Sequence, residues 1–251
     1  MPVKIDIIIL SFAKTADLKQ TTLNCIESLL ASEDPNSIIF QPLVIESNHQ
    51  MQPYQYPGTK TIYPDTIFGY NKYMNIGINT TNNPYLCLCN NDLIFHTGWA
   101  KEILNAFNEY PELESANPYC GKFDYDEKIK NGGNVIRRDK DLNINGILTG
   151  WCIFAKRSIF NRTGLLDERF TFWYADNDYD MTLRKYGIRH ALIKSSLVTH
   201  LACQSHHLLL EKKDELTTGQ AAIFHAKWQR NSLYKKLRQL NEVVLGFFRK
   251  H

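Results

Sequence analysis

The stretch Pro84-Tyr-Leu-Cys-Leu-Cys-Asn-Asn-Asp92 decides how the rest of the chain reads. Its first part is a short, unbroken apolar run, the pattern of a strand covered on both faces, as in parallel sheets. Its last three residues favour turns and carry hard oxygen atoms. An acid just past a buried strand sits at the carboxyl edge of the sheet, where open α/β folds take their ligands. Two readings of Asn90-Asn91-Asp92 stand open at this point. One is a turn with no further role. The other is a site for Mg²⁺ or Mn²⁺ that keeps waters and substrate phosphates in its shell.

Working outward, the N-terminal side opens with an apolar β-branched run over residues 5–12. Leu18, Cys25, Ile26, Leu29 and Leu30 then recur at helical spacing, and Asp34-Pro35-Asn36 stops that helix. A second strand is predicted over residues 42–47. This βαβ opening predicts an α/β fold with a parallel sheet. A Pro- and Tyr-rich loop at 52–59 and a short strand at 61–63 follow, then a loop leading into a helix from Phe68. On the other side, a helix is predicted over 97–110, and 115–147 reads as irregular. Strands are expected at 150–155 and 191–200, with helices beginning at 158, at 176 and at 218.

Composition sets the outer limits. The 251 residues suit one large domain with an appendage, long enough to bury roughly 70–75% of the unfolded surface. Hydrophobic residues are 43% and charged residues 22%, which argues against disorder. The six cysteines, Cys25, Cys87, Cys89, Cys120, Cys152 and Cys203, form no C-x-x-C pair and read as free thiols of a reducing compartment. Cys87 and Cys89 would share one strand face. Cys203, His206 and His207 lack the spacing of a zinc finger. No stretch approaches the ~20 apolar residues of a spanning helix, and the N-terminus lacks a signal-peptide core. A cytoplasmic protein is expected.

A second cluster reads Phe172-Trp-Tyr-Ala-Asp-Asn-Asp-Tyr-Asp180. Three carboxylates crowd a helix start, where the dipole and capping favour acids. The aromatic triplet before them is not explained by capping. A carboxylate among aromatics and other acids has a raised pKa, which suits a general base. His200 ends a strand, either as an ordinary histidine or as a further metal ligand.

In order and spacing these segments resemble the family-2 glycosyltransferases of the GT-A fold. The resemblance covers about residue 3 to residue 205, roughly four fifths of the chain. It rests on Ile7-Ile-Ile-Leu-Ser-Phe12, Val44-Ile-Glu46-Ser-Asn48, Phe68-Gly69-Tyr-Asn71 with Asn75-Ile-Gly77, and Leu88-Cys-Asn-Asn-Asp92. Downstream it rests on Gly150-Trp151, Gly164-Leu-Leu-Asp167-Glu168-Arg-Phe170, Ala175-Asp176-Asn-Asp178 and His200. The resemblance implies a Rossmann-like GT-A domain with a mostly parallel central sheet and flanking helices. It implies inverting sugar transfer, with Asp92 and His200 holding Mn²⁺ or Mg²⁺ and Asp176 as the base. Ser11, Glu46, Gly69, Asn71, Asn75, Asn91, Gly150 and Trp151 would contact the sugar-nucleotide donor, UDP being the commonest base. Trp173 and Asp178 would face the acceptor, a glycan or lipid-linked glycan. Core packing remains an equal reading of Trp151 and Trp173. The chain departs from the family at Ala175, where Glu is common, and at Glu46, where Asp is usual. Two rivals remain: a non-catalytic sugar-nucleotide-binding module, which retention of Asp92 and Asp176 disfavours, and nucleotidyl transfer, which usually wants a Gly-rich loop that Ser11-Phe-Ala-Lys14 lacks.

Net charge is +3 but uneven. Residues 226–251 carry seven Lys/Arg and one acid, leaving 22 basic and 25 acidic residues in the remainder, a net of −3. The chain therefore divides into a catalytic domain, 1–215, and a basic amphipathic tail, 216–251. Leu233, Leu237, Leu240, Val244 and Phe247 form one helical stripe. Three readings stand: packing on the domain or in a homodimer, peripheral attachment to an anionic membrane at the inner face, or contact with nucleic acid, as in phage enzymes that glycosylate modified DNA bases.

Overall fold

The computed structural model describes residues 1–123, 125, 127–137, 147–201 and 219–228. Cys203, His206, His207, the 215/216 division and the apolar stripe of the tail lie outside them. The chain begins with β1 (Val3–Ser11), α1 (Ala16–Ala31), β2 (Ile38–Glu46), β3 (Lys60–Ile62), α2 (Tyr70–Thr80) and β4 (Tyr85–Asn90). It continues with β5 (Leu93–Phe95), α3 (Trp99–Glu109), β6 (Leu113–Tyr119), α4 (Glu127–Lys130) and β7 (Val135–Arg137). Then come β8 (Cys152–Lys156), α5 (Ser158–Thr163), α6 (Ala175–Lys185), β9 (Arg189–His200) and α7 (Gln220–Trp228).

The sheet order is β3-β2-β1-β4-β8-β6-β9-β5, with β7 also on β9. Strands β1, β2, β3, β4, β6 and β9 run one way, and β5, β7 and β8 run against them. The sheet is mostly parallel, as the βαβ opening implies. Register places Ser11 opposite Glu46, and Leu10 opposite Asn90, so the predicted site residues of three strands meet at one carboxyl edge.

Both faces are covered, which explains the unbroken apolar runs. Ile5, Ile7, Ile9, Cys87 and Cys89 pack into the core beneath α1 and α3. Ile8, Leu10, Leu86 and Leu88 alternate into the core beneath α2, α5 and α6. Thr15 caps α1 by accepting from the Leu18 amide, and the buried stripe is Leu18, Thr22, Cys25, Ile26 and Leu29. Leu30, assigned to that stripe from its spacing, is instead 44% exposed.

The largest departure from expectation is β6. The segment 115–147 reads as irregular, yet Leu113–Tyr119 is a buried strand between β8 and β9. Its polar and proline residues hide the strand pattern. Tertiary partners satisfy them: Ser115 Oγ pairs with Tyr179 Oη at 3.1 Å and His190 Nδ1 at 2.9 Å, and Asn117 Nδ2 donates to the Thr149 carbonyl at 2.8 Å. At Pro118 the register against β9 slips, from Pro118 opposite Ile193 to Tyr119 opposite Leu197. Beyond this irregularity β9 pairs with β5.

Gly77 lets α2 lie directly on β1. A Cβ there would come within 2.4 Å of Ile8 Cγ2, deep in the core. Alanine gains up to about 1 kcal/mol in helix propensity, but overpacking a filled core costs about 1–3 kcal/mol. Gly77→Ala is therefore expected to lower the unfolding free energy measured by urea denaturation. An unchanged or raised midpoint would contradict this close approach.

Candidate active site

The short strand β5 brings the two sequence-predicted metal ligands together. The chain leaves β4 at Asn90 and, two residues later, pairs antiparallel with the end of β9, placing Leu93 opposite His200. The Leu201 amide donates to the Asp92 carbonyl. As a result His200 Nε2 lies 3.3 Å from Asp92 Oδ1. Asp92 is 7% exposed, and Oδ1 has no well-aligned hydrogen bond among the described residues. A buried carboxylate oxygen left so costs free energy unless a ligand completes it. No group of three His, Cys, Asp or Glu suited to a metal occurs among the described residues. The pair fits an ion that takes its remaining oxygens from phosphates and water, as Mg²⁺ does.

Gly150 and Trp151 link this pair to the second acidic cluster. The Trp151 ring stacks on His200, with centroids 5.5 Å apart and planes within 14°. Its carbonyl accepts from the Asn90 amide at 3.0 Å. Trp151 is buried against the core, and its Nε1 has no partner among the described residues. The Gly150 amide donates to Asp176 Oδ2 at 3.3 Å, and the Gly150 carbonyl accepts from Tyr70 Oη at 2.7 Å. A Cβ on Gly150 would sit 3.2 Å from Asp176 Cβ.

Asp176 lies in the first turn of α6. Burial pushes its carboxyl above the ordinary aspartate range, against the opposing pull of the Asn177 and Gly150 amides. Tyr174, immediately before the helix, is the one described non-glycine residue at positive φ, 64°. Such a backbone costs about 1–3 kcal/mol and gathers at functional sites. Tyr174 belongs to the aromatic triplet that the sequence singles out and Tyr70 to the Phe68–Asn71 stretch, but neither carries a role of its own there. Their roles depend on a backbone angle and on a partner 80 residues away.

The remaining predicted donor residues fall into two groups. Ser11, Glu46 and Asn91 join one hydrogen-bonded chain along the carboxyl edge. Asn91 Nδ2 donates to Thr22 Oγ1 at 2.7 Å, Thr22 pairs with Ser11 Oγ at 2.9 Å, Ser11 reaches Tyr56 Oη at 3.4 Å, and Tyr56 donates to Glu46 Oε2 at 3.0 Å. Glu46 is fully buried, and its other oxygen accepts from the Ala13 and Asn48 amides. Gly69, Asn71 and Asn75 belong to α2 and its N-cap and clamp the loop before α6. Asn71 Nδ2 donates to the Asp167 carbonyl, Asn75 bonds both the carbonyl and the amide of Leu166, and the amides after Gly69 donate to Thr171 and Phe170. Tyr56 and Thr22 were not foreseen.

The two residues expected to face the acceptor part company. Trp173 is 46% exposed. Asp178 is buried, with Lys227 Nζ and Trp228 Nε1 each at 2.8 Å. Desolvation pushes its carboxyl up, and Lys227 pulls it down.

No protein-family model matches the chain, and no curated protein matches its sequence. Among solved structures, S. aureus TarS 1-349 is similar with a TM-score of 0.58 at 11% identity, over 78% of this chain and 59% of that one. GalNAc-T7, solved with UDP, GalNAc and Mn²⁺, is similar with a TM-score of 0.62 at 13% identity, over 79% of this chain and 44% of that one. The chain thus spans about half the length of these structures. What the likeness establishes is the architecture: the mostly parallel α/β sheet with flanking helices has the GT-A fold.

Proposed function

We propose that this chain is an inverting glycosyltransferase of the family-2 type, moving a sugar from a nucleoside diphosphate to an acceptor hydroxyl. The observation that carries the reading is the approach of Asp92 Oδ1 to His200 Nε2, buried at the carboxyl end of β4 and joined through Gly150-Trp151 to Asp176. UDP is the proposed nucleotide, in line with the UDP and Mn²⁺ of the GalNAc-T7 structure.

Asp92 and His200 would hold Mn²⁺ or Mg²⁺ in the Asn-Asn-Asp variant of the Asp-x-Asp motif. An ion there would offset charge developing on the departing diphosphate. Asn91, Ser11 and Glu46 keep the carboxyl edge in shape for the nucleotide. Asp176 Oδ takes the acceptor's proton as its hydroxyl attacks the anomeric carbon, the glycosidic bond to the diphosphate breaks, and a single displacement inverts the centre. Burial raises the Asp176 carboxyl, which makes its ionised form a stronger base. The exposed Trp173 ring offers an apolar platform for an acceptor sugar on a glycan or lipid-linked glycan. No helix among the described residues is long and apolar enough to cross a membrane.

Two outcomes test the assignments separately. By titration calorimetry, Asp92→Ala is expected to weaken UDP binding at least tenfold with Mn²⁺ present and to leave it unchanged without the ion; equal affinities in both conditions would remove Asp92 from metal binding. Asp176→Asn is expected to lower turnover by about 10²-fold or more while UDP binding stays near wild type. The wild-type rate should rise with pH through a midpoint above that of an ordinary aspartate, because only the ionised carboxylate accepts a proton. A variant turning over at the wild-type rate would dismiss the base. A thermal-shift screen of sugar nucleotides with Mn²⁺ identifies the donor by the largest rise in Tm.

A further inference from the structure

Asp176 and Asp178 lie two residues apart in one helical turn, about 200° around its axis, so they face opposite ways. Asp176 meets Gly150. Asp178 meets α7, where Trp228 Nε1 donates to Oδ1 and Lys227 Nζ to Oδ2, each at 2.8 Å. The same Lys227 ammonium reaches Asp167 Oδ2 at 2.8 Å, on a carboxylate already gripped by Arg169. Gln220 Oε1 accepts from the Thr171 amide at 2.8 Å. Phe224 packs on Phe170 and Tyr174, and with Ala175, Met181 and Trp228 these form a small core of their own. Helix α7 thus touches the loop before α6 at 167, 170, 171 and 174, and the helix itself at 178. Between these contacts sits the left-handed Tyr174, a conformation that persists only where its surroundings enforce it.

We infer that α7 is a positioning element of the proposed active site: Lys227 and Trp228, acting through Asp178, hold the first turn of α6 so that Asp176 stays against Gly150. The Lys227–Asp178 pair is largely withdrawn from water, with side chains 22% and 5% exposed, so it belongs among desolvated pairs whose disruption leaves a buried charge. A misplacement of about 1 Å, even from a change far from the chemistry, can cost about 10²-fold in rate. This inference rests on the reading of Asp176 as the base.

The test uses the full chain, with Lys227→Met, Lys227→Arg and Trp228→Phe. UDP with Mn²⁺ is the binding probe, and UDP release from the sugar nucleotide chosen by the thermal-shift screen gives turnover. Lys227→Met and Trp228→Phe are expected to lower kcat about tenfold or more with UDP affinity unchanged. Amide exchange should accelerate over residues 171–178 but not over 90–95, and Lys227→Arg should recover most of the rate. Wild-type kcat and exchange in both variants would overturn the inference, as would a loss of kcat matched by an equal loss of UDP affinity. If Asp176→Asn retains turnover, the base reading itself fails. If Asp176→Asn is inactive while Lys227→Met behaves as wild type, only the positioning role fails.

Discussion

The constraint on which the site depends is the change of partner along β9. Its first half pairs in parallel with β6, and its second half, after the slip at Pro118, pairs antiparallel with β5. Strand β5 follows β4 in the chain with only Asn91 and Asp92 between them. The pairing with β5 makes Leu93 and His200 partners, and the Asp92 side chain then lies beside the imidazole. Side chains in a strand alternate faces, so a register shift of one residue would turn His200 away. Packing fixes that register: Leu93, Phe95 and Val198 are all buried in the core beneath α1 and α3.

A second constraint joins the two halves of the site through adjacent residues. Gly150 and Trp151 lead into β8, which hydrogen-bonds to β4 and so stands beside the Asn90 turn. One residue supports Asp176 through its amide, and the next lays an indole on His200. A displacement of this segment would therefore disturb both the carboxylate and the imidazole. Tyr70 from α2 and Asn117 from β6 brace the segment from its two sides, through the carbonyls of Gly150 and Thr149.

Much of the fold is readable from residue pattern because both sheet faces are buried. Residues 5–12 and 84–89 betray their strands by apolar continuity, and the α1 stripe betrays its helix by period. Strand β6 is not readable, since Ser115, Asn117 and Pro118 look like loop and their partners lie in distant segments. Asp92, Asp176 and His200 are legible as candidates because each stands at an element boundary, and the resemblance ordered them. Their convergence is not legible, because it follows from the pairing of β9 with β5 and the closeness that Gly150 permits. The role of α7 is equally hidden: a Lys-Trp dipeptide carries no signal until Asp178 is seen beneath it.

The hydrogen-bond inventory separates residues that reach a ligand from those that frame it. Glu46 and Asp92 are both buried acids at strand ends. Glu46 accepts from two backbone amides and from Tyr56. To serve a nucleoside it would have to surrender such bonds, at about 1–3 kcal/mol for each partner left buried and unpaired. At Oδ1 Asp92 has no such bonds to give up among the described residues, and the His200 imidazole lies 3.3 Å away. The same reasoning divides Asp178, held by Lys227 and Trp228, from Asp176, whose carboxylate bonds are to the Gly150 and Asn177 backbone amides. On the proposed reading, chemistry therefore falls to Asp92, His200 and Asp176. Glu46, Asn71, Asn75 and Asp178 spend their polar groups holding that trio in place.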